Sequence, residues 1–317
     1  MVKTAPRRAP LLMRVARFHP VTLQERRKLF LIGMAIPALA YVAAIGLWPL
    51  AQGLWYSFYD YNLLRPNSTE WVGLENYARV FADPTARQAM VNTLQFTLAS
   101  VSIQFVLGMG LALLMWRDSS FNRACLAFLL IPATVTPLVV GLIFKALLGV
   151  DFGLAGHPLA ASGLGPRTGL LNDLDTALWT LIAIDCWEWT PLVTLIMLAG
   201  LKSLPVDVLE AARTDGATSW QRFRLIVVPL MLPAIFLGLV LRTMDAFRIF
   251  DTVFVTTGGG PDNATNTLML LAVKEGLQFF NIGYGAAIAN ISILFIAILM
   301  AILVLGVRGA DRHVQGE

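Results

Sequence analysis

Six runs of apolar residues mark out the chain. Between them lie segments in which Gly, Pro, Asn and charged residues collect. The runs cover positions 29–51, 91–116, 124–149, 176–201, 225–247 and 283–307. A helix needs about 20 predominantly apolar residues to cross a bilayer, and each run supplies them. The first run is too long for the core of a signal peptide and lacks a convincing cleavage site, so it is expected to be retained. The pattern predicts an all-α integral membrane protein with six transmembrane helices.

Composition points the same way. Of 317 residues, 57% are hydrophobic and 14% charged, against roughly 45–50% and about 25% in soluble domains. That balance excludes a water-soluble globule, and the apolar content excludes a disordered chain. The two cysteines, Cys125 and Cys186, both sit in apolar runs, which excludes a disulfide scaffold and leaves no metal or redox motif.

The placement of basic residues matters more than the net charge of +4. With the N-terminus inside, segments 1–28, 117–123, 202–224 and 308–317 are cytoplasmic and hold 16 Lys and Arg in 68 positions. The outer segments 52–90, 150–174 and 248–282 hold 6 in 99. The bias predicts both termini in the cytoplasm, as an even number of spans requires. Arg7, Arg8, Arg14, Arg17, Arg26, Arg27 and Lys28 fit a topology anchor against anionic lipid headgroups. A nucleic-acid arm is the alternative, but the basic residues form no stripe on a polar domain. Residues 153–169 hold five glycines and two prolines and are expected to be irregular.

Segment 202–224 reads as more than a connector. Ser203 is placed to cap a helix, Pro205 to sit near its first turn and Asp207 to complement its dipole. Val206–Thr214 would then form a short helix that Gly216 ends in a left-handed residue. Ser219 is placed to cap a second helix running into the fifth span. Leu209 and Ala212 share one face of the first helix. A small-residue helix of this kind is a poor membrane anchor and suits a partner's groove; a plain connector is the alternative.

Glu210-Ala211-Ala212, Asp215-Gly216-Ala217, Phe223, Ile226, Pro229 and Pro233 stand at the spacing of the EAA signature. In this the segment resembles binding-protein-dependent ABC importer permeases. WVGLENY at 71–77, DAFRIFD at 245–251 and VTTGGGP at 255–261, followed by Asn263 and Thr265, are similar to stretches of the first permease of maltose-type carbohydrate importers. The similarity runs from about residue 30 to residue 307 and leaves the first 28 residues aside.

The resemblance implies a type I ABC importer permease fold with a cytoplasmic coupling helix. It divides the chain into a basic segment 1–28, a first span and outer loop 29–87, a permease core 88–308 and a tail 309–317. It implies a second related permease, two ATP-binding subunits and an extracytoplasmic sugar-binding protein in a bacterial inner membrane. The coupling helix would dock in a cleft of an ATP-hydrolysing subunit, with Glu210 facing a basic group there. ATP and Mg would belong to that subunit, and no cofactor is expected in this chain. It has no G-x-x-x-x-G-K-[ST] segment, and His19, His157 and His313 are scattered outside the spans.

Polar groups inside spans are the remaining candidates, since charge in a bilayer faces a cavity or a partner. The fourth span carries Asp185, Trp187, Glu188, Trp189 and Pro191, the fifth Arg242 and Asp245, the sixth Asn290, and the second Asn92 and Gln95. Indole rings beside carboxylates suit a sugar, whose apolar face stacks while its hydroxyls bond to oxygen. The alternatives are ion pairs of Asp185 and Glu188 with Arg242 or Lys145, an interface belt for the tryptophans, and interhelical bonding for Asn92, Gln95 and Asn290. Glu188 departs from the resemblance, which places a basic or neutral residue there in many relatives. Pro229 and Pro233 should bend the fifth span. A glycerol-phosphate or polyol permease, or an ion-coupled secondary transporter using Asp185, Glu188 and Asp245, are the rival readings.

Overall fold

The computed structural model describes residues 23–315; Arg7, Arg8, Arg14, Arg17 and His19 lie outside the described residues. The chain divides into two compact units, 1–52 and 53–317. From Leu23 the described chain is helical and passes through one wider turn at Ala43–Leu47; the apolar part of this helix, α1, is Phe30–Tyr56.

The second unit is a helical bundle. A two-stranded ribbon, Tyr59–Asp60 against Glu70–Trp71, precedes α2 (Glu75–Ala82). The second span, α3, runs from Pro84 to Leu114. It starts well before its apolar run because Asp83 caps it, accepting from the Thr85 N–H at 2.8 Å, and Pro84 takes the first helical position.

The third apolar run is not one helix. Pro132 and Pro137 supply no N–H to the ladder. The chain instead forms α4 (Ser120–Leu129), a tight turn Pro132–Thr134 and α5 (Pro137–Leu147). Among the described residues, five helical stretches are long and apolar enough to cross a membrane alone, and α5 is a shorter apolar helix. The stretch after α5 is irregular except for one short helix, Gly156–Ala161.

The fourth span, α6, is Ala177–Lys202, and α7 is Val206–Thr214. The fifth span starts with α8 (Ser219–Arg222), widens at Phe223–Val227, completes one turn at Val228–Leu230 and breaks at Met231. It resumes as α9, Leu232–Phe247. The break falls between Pro229 and Pro233, where two donors are missing from the ladder. Two short helices follow, α10 (Asp251–Thr256) and α11 (Leu268–Val273), and the chain closes with α12 (Ile282–Gln315).

Three apolar clusters hold the bundle. Phe96 and Val101 of α3 pack with Leu181 and Ile184 of α6 and with Val253 of α10. Nearer the α7 end, Ala112, Val193, Met197 and Leu201 meet Val227 and Met231. At the other end Ala86 and Ala89 pack with Leu268, Tyr284 and Ile288. Close approach of α3 to α6 depends on Gly108: a Cβ there would stand 2.8 Å from Val193 Cγ1 and 3.2 Å from the Thr194 backbone nitrogen. Small residues at such contacts let helices in a membrane gain dispersion contacts that a larger side chain would prevent.

Gly110, two residues on, has nothing within 4 Å of its Cβ position. Gly108→Leu should therefore lower the thermal unfolding midpoint of the detergent-solubilised protein, by the equivalent of about 1–3 kcal/mol of overpacking. Gly110→Leu should leave it unchanged; equal effects would refute the close-contact account.

Candidate functional site

Arg242 of α9 is 1% exposed in the middle of the bundle. Its Nη2 donates to Asp185 Oδ2 of α6 at 3.0 Å, and its Nε donates to Gln104 Oε1 of α3 at 2.8 Å. Gln104 Nε2 donates in turn to Asp185 Oδ2 at 2.7 Å. Three spans are thereby joined through one closed triangle of charge-assisted bonds. The same guanidinium lies over the Trp189 ring, 4.9 Å from its centroid. Asp185 and Trp189 are four apart on α6, so one face of the helix carries both.

Asp185 and Arg242 of this triangle, with Trp189, line a cavity of about 430 Å³ together with Asp245, Arg248, Phe250, Asp251 and Met269. Asp245 stands between two guanidiniums, 3.9 Å from Arg242 Nη1 and 3.4 Å from Arg248 Nη2. Of the intramembrane candidates, the structure brings together Asp185, Trp189, Arg242 and Asp245. Gln104 was not among the residues singled out from the sequence; a lone glutamine within an apolar run was its only signal.

The others lie elsewhere. Trp187 packs edge-on against Phe144 at 5.2 Å and lines apolar grooves away from the cavity. Asn290 donates to the Tyr77 hydroxyl at 3.2 Å, and Asn92 donates to the carbonyls of Asn263 and Asn266 at 2.9 Å each. Lys145 donates to the Val255 carbonyl and reaches neither acidic residue of α6. Glu188 is buried, and no hydrogen bond or ion pair to it occurs among the described residues.

The EAA segment folds as helix, turn and helix, with two caps displaced from their expected places. Ser203 ends α6, its Oγ donating to the Gly200 carbonyl at 2.8 Å; the residue before α7 is Pro205. Thr218 rather than Ser219 caps α8. It forms a reciprocal capping box in which its Oγ1 accepts from the Gln221 N–H and its own N–H donates to Gln221 Oε1. Between the helices Gly216 has φ +79°. Its N–H donates to the Arg213 carbonyl, and the Ala217 N–H to the Ala212 carbonyl. These two bonds make a Schellman turn, which needs a left-handed residue at that place.

Leu209 and Ala212 face the bundle, while Glu210, Ala211, Asp215 and Gly216 are exposed and Ala217 is half-buried. Beside α7 lies a groove of about 820 Å³ walled by Glu210, Arg213, Trp220 and Arg222. Asp118 in the α3–α4 turn accepts from Lys202 Nζ at 2.6 Å, and this ammonium holds its carboxyl below the usual carboxylate range.

The remaining motifs hold their own segments through hydrogen bonds to backbone carbonyls. In 71–77, Asn76 donates to the carbonyls of Ser57 and Tyr59, and Tyr77 shares a hydrogen bond with the Ser57 hydroxyl. In the glycine-rich stretch, Gly258 and Gly259 have positive φ, and Thr265 Oγ1 donates to the Gly260 carbonyl at 2.7 Å. Lys274 Nζ donates to the Gly258 carbonyl, and burial pushes its amine below the ordinary lysine range.

The family described as binding-protein-dependent transport system inner membrane component matches residues 104–312. The chain is 33% identical over 282 residues to the trehalose transport system permease protein SugA of Mycobacterium tuberculosis, covering 89% of each. It is 33% identical over 267 residues to the trehalose/maltose transport system permease protein MalF of Thermococcus litoralis, covering 84% of this chain and 88% of that one. A chain in the crystal structure of the bacterial alginate ABC transporter in complex with alginate pentasaccharide-bound periplasmic protein has the same fold. The TM-score is 0.74 at 21% identity, with 92% of this chain and 96% of that one covered.

Removing one partner of a buried ion pair leaves an uncompensated charge, at a cost of about 3–5 kcal/mol. Arg242→Met should accordingly destabilise the bundle strongly, and adding Asp185→Asn should recover much of the loss. A double-mutant cycle of unfolding midpoints checks this; additive losses would mean that the two side chains do not act as a pair.

Proposed function

From the premise that the chain belongs to the family of inner membrane components of binding-protein-dependent transport systems, we propose that it is one permease of an ATP-driven sugar importer. A second, related permease pairs with it, two ATP-binding subunits dock from the cytoplasm, and an extracytoplasmic sugar-binding protein delivers the substrate. The chain itself catalyses no reaction; ATP and Mg bind to the partner ATPase.

The observation that carries this reading is the exposed helix α7 within the family match, closed by the Gly216 turn. Its bundle face is fixed by Leu209 and Ala212, and its outer face offers Glu210, Ala211 and Asp215 to a partner. Motion of an ATPase at α7 would pass through the Thr218 capping box into the fifth span. The charge bias favours placing α7, both termini and the α3–α4 turn in the cytoplasm.

A sugar is favoured by the names of the trehalose and maltose relatives and by the cavity chemistry. The lining contains the indole of Trp189, one face of which lies under the Arg242 guanidinium, and Asp245 and Asp251 offer acceptors to hydroxyl groups. Three carboxylates against two guanidiniums in that lining disfavour a phosphate ester. The pairing of Asp185 with Arg242 disfavours a proton-coupling role for Asp185.

Purification of the native chain should bring down a second permease and a Walker-motif ATPase, with ATP hydrolysis stimulated by the loaded binding protein. Glu210→Ala and Gly216→Pro should lose the ATPase or uncouple its stimulation by at least about tenfold, the equivalent of roughly 1.4 kcal/mol. Uptake by the chain alone, indifferent to both changes, would refute the reading.

A further inference from the structure

Among the described residues, Glu188 is the one buried acidic residue that the hydrogen bonds around Arg242 leave out. It is 1% exposed, its Oε1 has no hydrogen-bond partner, and it is absent from the lining of the cavity over Trp189. Buried polar atoms are satisfied in the great majority of cases, and a carboxyl in a membrane interior is costly without a partner. An orphan of this kind, in a protein that must alternate between two states, points to a partner supplied in the other state.

The helix geometry names that partner. Asp185 and Glu188 are three apart on α6 and lie on one face. Their displacement along the axis is about 4.5 Å, at roughly 1.5 Å per residue. Shifts of one helix past another by about a turn are an established form of two-state switching. Among the described residues, Arg242 is the basic residue bonded to that face of α6. It is carried by α9, whose connection to the α7 side is a five-residue wide turn followed by the break at Met231. The helix bearing the cation is interrupted at Met231, while α6, which bears both carboxyls, stays helical from Ala177 to Lys202 although Pro191 removes one ladder donor within it.

We propose that Glu188 is a second seat for Arg242. In the state described here the guanidinium rests on Asp185. In the state produced by ATP binding, α9 slides along α6 towards the cytoplasm and the guanidinium moves to Glu188. Glu188 is a positioning residue: it touches no substrate and acts through Arg242. The move has a consequence at the cavity. Arg242 covers the Trp189 ring at 4.9 Å, so its departure uncovers that face and leaves Asp185 Oδ2 with the bond from Gln104 Nε2 alone. Nucleotide state and availability of a sugar-stacking surface would then be one event.

This inference rests on the importer reading, and the experiment separates the two. The assembled transporter, reconstituted with its ATPase and loaded binding protein, is assayed for ATP hydrolysis with and without that protein. If the native complex shows no stimulation, the importer reading fails and this inference falls with it. If stimulation is present, Glu188→Gln removes the second seat and should lower stimulated hydrolysis at least about tenfold. Asp185→Asn weakens the first seat and should raise unstimulated hydrolysis severalfold. Glu188→Asp, which keeps the charge, should recover part of the stimulation.

Opposite signs for the two positions are what alternation demands and what a packing role does not give. Native-like behaviour of Glu188→Gln, losses of the same sign at both positions, or failure of the isosteric Glu188→Gln complex to assemble would each overturn the proposal.

Discussion

A guanidinium sealed among membrane helices has to be neutralised where it stands, and this requirement organises the molecule. Arg242 takes its counter-charge from α6 and a neutral acceptor from α3, so in this state three spans meet at one set of hydrogen bonds. Gln104 closes the triangle by donating to the carboxylate that the guanidinium also engages. In a low-dielectric interior such a closed set is strong when complete and costly when broken. The apolar clusters to either side are consistent with this point as a common origin: Phe96, Val101 and Ile184 lie on one side, and Ala112, Val193 and Met197 on the other.

From there the chain leads, through one interruption, to α7, the surface proposed for an ATPase. The route is short: α9, the break at Met231, the wide turn Phe223–Val227, the Thr218 capping box and the Gly216 turn. Its rigid parts are the caps: two reciprocal bonds between backbone and side chain in the Thr218 box, and two backbone hydrogen bonds at the Gly216 turn. Its compliant part is the stretch where prolines have removed donors. A rigid end joined through a compliant middle to a charged end can transmit displacement without requiring the whole span to translate.

Much of this was legible in the sequence, for definable reasons. Five spans follow from uninterrupted apolar length, and α7 follows from the distance between Pro205 and Gly216. Gly216 was readable because a left-handed residue is a local property. The third span was not, since Pro132 and Pro137 sit in a run whose composition alone looks continuous. Caps shifted by a residue or two because Thr218 and Ser219 are chemically alike and only Gln221, three beyond Thr218, decides between them. Inside the bundle, the sequence offered Asp185, Trp187, Glu188 and Trp189 as a set. Helical rotation sent Trp187 to Phe144, and the hydrogen bonds around Arg242 left Glu188 without a partner. Gln104 stayed hidden because its partners are 81 and 138 residues away.

The opposite end of the bundle from α7 is built differently. There Asn76 and Tyr77 hold the segment after α1, Asn62 pairs with Asn281, and Gly283 leaves room for the Tyr59 carbonyl where a Cβ would collide. Tyr77 also accepts from Asn290, farther along the same final helix. These ties gather at one level, and the break at Met231 and the wide turn Phe223–Val227 lie towards the other. The bundle thus has a fulcrum: like a clothes peg, it is pinched where the residues before the ribbon meet the last helix. Small forces at the α7 end should swing the helices about that pinned collar rather than part them there.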